Sequence, residues 1–137
     1  MKRFLTISML AALGGCAVVP EIDFLHRPVA PTPATPVFFQ PFSAALDQPA
    51  LTTISALAQE ANNEPKARVY VTGAADGTGS SAANKDISRA RAQVVADALV
   101  TDGVARGRIH MRAIGVVMSP TGPGAQAGRR ALIQVGG

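Results

Sequence analysis

Hydrophobic positions recur along this chain in two periods, and the points where the period changes mark out its elements. Val37-Phe38-Phe39 is a short apolar run closed by Pro41 and reads as a strand. Leu51, Ile54, Leu57, Ala58 and Ala61 then recur at i+3 and i+4 spacing, the apolar face of a helix. Asp47-Gln48-Pro49 supplies its start, with Asp47 or Gln48 near the cap and Pro49 early in the first turn. Asn62-Asn63 and Pro65 end it. Arg68 to Thr72, rich in β-branched and aromatic residues, predicts a second strand ended by Gly73. A small, polar loop over 74–83 leads into a second helix from about Asn84 to Val100, with Gly103 as its C-terminal stop. Ile109 to Val117 predicts a third strand, and Ser119 to Gly128, with two prolines and several glycines, a long loop. Arg130 to Val135 alternates as a last strand.

The order β-α-β-α-β-β predicts an α/β (α+β) sandwich: a mixed sheet with helices packed on one face. Its first strand, helix and strand predict a βαβ unit with two parallel neighbours.

The second helix holds the chemistry. Around it each residue advances ~100°. Ile87, Ala90, Val94 and Ala98 then share the side expected to pack on the sheet, while Lys85, Asp86, Arg89 and Gln93 face water. Asn84, Ser88 and Arg91 form a third stripe beside the core face, turned toward the loop that carries Asp76. A guanidinium can donate two parallel hydrogen bonds to a carboxylate, and an ionised Asp accepts from an ammonium. One reading is therefore a cleft for a ligand that carries both groups. The other is a loop-to-helix salt bridge between Asp76 and Arg91, worth little if exposed.

Composition bounds the partners. The 137 residues suffice for one domain, and aromatics make up only 4%, so the core is built from Ala, Val, Leu and Ile. Thirteen Lys and Arg against nine Asp and Glu give +4. The excess is local: Arg106, Arg108, Arg112, Arg129 and Arg130 follow Gly103 with no acid among them, and read mostly as a solvated basic edge. Without interleaved aromatics this is no nucleic-acid footprint. His26 and His110 are far apart in the chain, and His110, on a predicted strand, has no acidic or thiol partner nearby in sequence, so no metal site assembles. No Ser/His/acid or Cys/His set is present, and Gly73, Gly77 and Gly79 lack the Gly-Lys-Ser/Thr of a phosphate loop. Binding without a cofactor, not catalysis, is the expected function.

The N-terminus points to an envelope compartment. Met1-Lys2-Arg3 precedes an apolar run from Phe4 to Leu13, too short to span a bilayer, which requires ~20 residues. Leu13-Gly14-Gly15-Cys16 follows and resembles a bacterial lipobox. Residues 1–15 are therefore expected to be a lipoprotein signal peptide and Cys16, the only cysteine, a lipidated N-terminus. Residues 16–36 form a tether punctuated by Pro20, Pro28, Pro31, Pro33 and Pro36, and 37–137 form the domain. By resemblance to sorted lipoproteins, Ala17 after the cysteine implies the outer membrane.

Gly73-Ala74-Ala75-Asp76-Gly77-Thr78-Gly79 followed by Asn84-Lys85-Asp86-Ile87-Ser88-Arg89-Ala90-Arg91-Ala92 is similar to the signature of OmpA-like peptidoglycan-binding domains. That signature runs Gly-His-Thr-Asp-x-x-Gly, then Asn-x-x-Leu-Ser-x-x-Arg-Ala. The resemblance extends over about residues 36 to 135, and with the lipobox it resembles the peptidoglycan-associated lipoproteins. It implies non-covalent binding of the diaminopimelate of the stem peptide, with Asp76 and Arg91 on its amine and carboxylate. Asn84, Ser88, Thr78, Arg129 and Arg130 are implied around them. The family's His-Thr is Ala74-Ala75 here, its usual acid after the first strand is Gln40, and the Asn before the paired arginines is Gly128. These departures keep a second expectation open: an envelope-assembly or scaffold lipoprotein with protein partners and weak or lost wall affinity.

Overall fold

The computed structural model describes residues 30–118 and 122–137. The expected signal peptide, Cys16 and the tether as far as residue 29 lie outside the described residues. Strand β1 spans Thr35–Phe38, helix α1 Gln48–Asn63, β2 Val69–Ala75, α2 Ser81–Thr101, β3 Ile109–Val116 and β4 Arg130–Val135. Short 3-10 turns over Arg106–Arg108 and Gly122–Gly128 precede the last two strands. The sheet order is β1-β4-β2-β3, a mixed four-stranded sheet in the expected β-α-β-α-β-β order.

Its topology corrects one expectation. β1 and β2 are not neighbours, because β4 lies between them, antiparallel to both. The adjacent parallel pair is β2–β3, joined through α2. The placement has a physical reason. In β4, Ala131, Ile133 and Val135 are all within 1% of full burial, and such a strand is best satisfied with a partner on each edge. β1 is short and carries Pro36, which cannot donate to a ladder and suits an edge strand.

Helix α1 begins as its sequence requires: Oδ1 of Asp47 accepts the Ala50 N–H at 2.9 Å, with Pro49 in the first turn. Its buried face is Ala50, Ile54, Leu57, Ala58 and Ala61. Leu51, expected on that face, is exposed. The end of α1 is held by Arg108, which donates to the carbonyls of Ala61, Glu64 and Ala67 at 2.7–2.8 Å. Arg108 is therefore a helix clamp, not a solvated charge. Arg106 pairs with Asp97 and Arg129 with Asp76, leaving Arg112 as the member of the basic group that fits the solvated reading best.

Helix α2 starts earlier than its hydrophobic pattern suggests. Ser80 caps it by accepting the Ala83 N–H at 3.2 Å, and Gly103, at φ +94°, follows its end. Its buried face also differs from the expected one. The residues packed inward are Asn84, Ser88, Arg91, Ala92, Val95, Ala96 and Leu99, whereas Ala90 is exposed and Ile87, Val94 and Ala98 are half-buried. The polar stripe is thus the core face itself. Gly73 explains how this is possible. It lies inside β2 rather than ending it, and a Cβ there would collide with the Ser88 carbonyl oxygen. Helix and strand backbones meet at a point that only glycine allows.

Candidate functional site

Four polar or charged side chains are buried among the described residues: Asp76, Asn84, Ser88 and Arg91. These are the four that the sequence singles out. Burying a polar group without partners is costly, so the partners of each define what it does.

Arg91 is 1% exposed and stands on the first half of α2, where the helix crosses the end of β2. Its Nε donates to Ser43 O at 3.0 Å, Nη1 to Ala74 O at 2.9 Å and Nη2 to Gln40 O at 3.2 Å. The guanidinium also lies over the Phe39 ring, 5.2 Å from its centroid. One side chain thereby ties the segment after β1 to the end of β2. Burial lowers the pKa of Arg91 from its ordinary value, the negative charge of Asp76 opposes that shift, and Arg129 adds to it. An arginine remains charged throughout, so this is a fixed positive charge in the wall of the site.

Asp76 follows β2 directly. Its Oδ1 accepts the Thr78 N–H at 3.1 Å, and its Oδ2 accepts from Arg129 Nη1 at 3.0 Å. Both side chains of this ion pair are largely covered, at 12% and 17% exposure. Burial by itself raises the Asp76 pKa, but the hydrogen bonds from Arg129 and Thr78 and the charge of Arg129 outweigh it, and the net shift is downward. The direct Asp76–Arg91 salt bridge, one of the two sequence readings, does not form. Asp76 pairs with Arg129 instead, while Arg91 is held by carbonyls.

Phe42, Ala75, Asp76, Thr78, Gly79, Ala83, Asn84, Ile87 and Arg91 line a cleft of about 260 Å³. The acid and the buried cation therefore face the same space, with Asn84 and Thr78 beside them. Phe42 stands at this cleft 77% exposed, with its backbone at φ +53°, an uncommon conformation for a large residue. Sequence periodicity gave no signal for it, because its position depends on the carbonyls of Gln40 and Ser43 turning toward Arg91.

Three expected site residues are placed differently. Ser88 is fully buried between helix and sheet, where its Oγ donates to Lys85 O at 2.8 Å and accepts the Gly115 N–H at 3.1 Å. It fastens α2 to β3 and does not line the cleft. Arg129 stands behind Asp76, its Nε donating to Phe39 O at 3.3 Å. Arg130 alternates to the sheet face away from the helices, donates to Ala127 O at 2.7 Å, and keeps Nε buried without a partner. It is not part of the cleft. Ala74 and Ala75 are buried at 2% and 1%. Ala75 forms cleft wall, and Ala74 supplies the carbonyl that Arg91 binds.

Comparison with known proteins places this arrangement. The OmpA family model matches residues 38–131, most of the chain. The chain belongs to the OmpA family. Among curated proteins it is similar to the probable lipoprotein YiaD of Escherichia coli (strain K12), at 34% identity over 101 residues, covering 71% of this chain and 46% of that protein. The chain thus spans less than half the length of that relative. Among solved structures the fold matches the peptidoglycan-associated lipoprotein of Burkholderia pseudomallei with a TM-score of 0.67 at 23% identity, covering 72% of this chain and 88% of that one. The C-terminal domain of Helicobacter pylori MotB matches with a TM-score of 0.66 at 22% identity, covering 72% and 83%. At these identities the likeness is one of fold. The OmpA-like assignment made from residues 36 to 135 is the one these matches support, and the matched span includes both Asp76 and Arg91.

Proposed function

We propose that this OmpA-family domain binds peptidoglycan without catalysis, taking the diaminopimelate of the stem peptide into the cleft beside Asp76. The carrying observation is that a buried carboxylate, a buried guanidinium and Asn84 face one cleft of about 260 Å³. Asp76 would receive the ammonium, while Arg91, Asn84 and Thr78 would supply positive charge and donors for the carboxylate. Arg129 would act from behind by holding the Asp76 carboxylate in place, and Ser88 by fixing the helix that carries Asn84 and Arg91. Cys16, lipidated, would anchor the chain to the periplasmic face of the outer membrane, making the protein a link between membrane and wall.

The course of the chain supports that arrangement. Ala30 lies against Gly136, and Thr32 bonds to Val135, at the end of the sheet where β1 begins. The cleft lies at the other end, beyond β1 and β2. A tether leaving from one end of the domain would present the cleft away from the membrane.

Co-sedimentation with purified sacculi tests the binding. Wild type is expected to pellet, and Asp76→Asn to lose most of that retention while staying folded by circular dichroism. Equal retention of the two would sink the assignment. Anchoring is tested separately, since Cys16→Ala should abolish labelling by a fatty-acid probe. One observation favours the second reading, a scaffold lipoprotein with little wall affinity: Asp76 and Arg91 both have partners without any ligand. A wild type that fails to pellet, yet cross-links to an envelope protein, would support that reading instead.

A further inference from the structure

The sheet face turned away from the helices carries one sign of charge. Arg112 on β3 and Arg130 on β4 project there by strand alternation, opposite the buried Ala131 and Ile133 face. No described Asp or Glu lies in any strand: Asp47, Glu60, Glu64, Asp76, Asp86, Asp97 and Asp102 are all on helices or connecting segments. The same face is apolar where it is most open. Phe38, Tyr70 and Ile114 there are 43%, 36% and 42% exposed. The Tyr70 ring stacks on His110 at 5.3 Å, which makes that part of the surface flat.

Arginines set among exposed aliphatic and aromatic side chains, with no acid between them, suit an anionic bilayer surface. Phosphates meet the guanidinium groups, and the apolar groups enter the headgroup boundary. The chain leaves the domain beside this face. The Gln134 side chain, which projects on this side, donates to Thr32 O at 2.9 Å, and Gly137 lies beside the Tyr70 ring. Residues 16–29 would then reach on the order of 40 Å at ~3.1 Å per residue, enough for the domain to lie against the membrane that holds Cys16.

We propose that this open sheet face is a docking surface for anionic phospholipid. Only the nearness of the membrane rests on the anchoring proposed above; the composition of the face does not. Docked in this way, the domain keeps the cleft free, because the cleft opens at the end of the sheet and not on this face.

The test uses unlipidated protein beginning at Ala17, which retains every described strand and helix and the described core from Val37 to Val135. Its binding to vesicles of phosphatidylglycerol and phosphatidylcholine is compared with binding to phosphatidylcholine alone. Binding to the anionic vesicles is expected to be at least tenfold stronger, and to fall steeply between low and high salt. Arg112→Glu should weaken it roughly fivefold or more, on the basis of about 1 kcal/mol per basic residue near such a surface. Lys85→Glu, on the helix side, should not change it, and Phe38→Asp, on β1, should weaken it on an independent element of the face. Equal binding to both vesicle types, no binding to either, or insensitivity to Arg112→Glu would overturn the proposal. So would a concentration-dependent dimer that buries this face and excludes vesicles.

Discussion

Arg91 is the residue on which the site and the fold both depend. It is 1% exposed and gives hydrogen bonds to Ser43, Ala74 and Gln40. Arg91→Ala would leave those carbonyls without donors and open a void, so a loss of ~3–5 kcal/mol is expected, measured by urea denaturation. A wall-binding defect in that variant would therefore mix unfolding with lost recognition. Asp76→Asn separates the two. The Asp76 pKa is lowered in the folded protein from its ordinary 3.8, so its ionised form stabilises the fold above that value. That contribution is lost as pH falls through the lowered folded value. Wild type should lose stability below about pH 4 by this route, and Asp76→Asn should show a flatter acid limb in thermal denaturation against pH. How much of the site was legible in the sequence follows from the same residues. Asn84 and Arg91 were legible from helical spacing, and Asp76 from its place as the one acid in the loop that precedes that helix. The partners of Asp76 and Arg91 were not, since Arg129 and the carbonyls of Gln40 and Ser43 arrive from distant segments.

At the scale of elements, the contact between α2 and β2 governs the geometry of the cleft. Gly73 lets the helix come close enough to bury Ser88 and Arg91. Gly73→Ala must push the helix outward, and a destabilisation of ~3 kcal/mol is expected in chemical denaturation, with wall binding lost in parallel. Ser80→Ala, by contrast, removes only the α2 cap and should cost ~1 kcal/mol. The inward face of α2 was misplaced by periodicity because hydrophobicity alone ranks Ile87 and Val94 above Asn84, Ser88 and Arg91. A glycine-lined crossing reverses that ranking, since small and hydrogen-bonded side chains fit where large apolar ones do not. α1, whose burial is purely apolar, followed its pattern apart from Leu51.

For the whole molecule, Ala30, where the described chain begins, and the cleft stand at opposite ends of the sheet, so the reach of the proposed tether and recognition should be separable. Deleting residues 20–29 is expected to leave binding to isolated sacculi within about twofold, and to reduce cross-linking of wall to membrane in intact cells. Unchanged cross-linking in cells would argue against a spanning link. By itself the sequence determined the order of the strands and the two α-helices, the approximate start of α1, the β4 boundaries and the OmpA-like character of residues 36 to 135. These follow from local periodicity, turn chemistry and motif spacing, which short stretches carry complete. Only the tertiary structure decided that β4 enters between β1 and β2, that Asp76 is held by Arg129, and that the polar stripe of α2 is its buried face. Each of those depends on segments far apart in the chain meeting, and on a close backbone approach at Gly73 that no local pattern encodes.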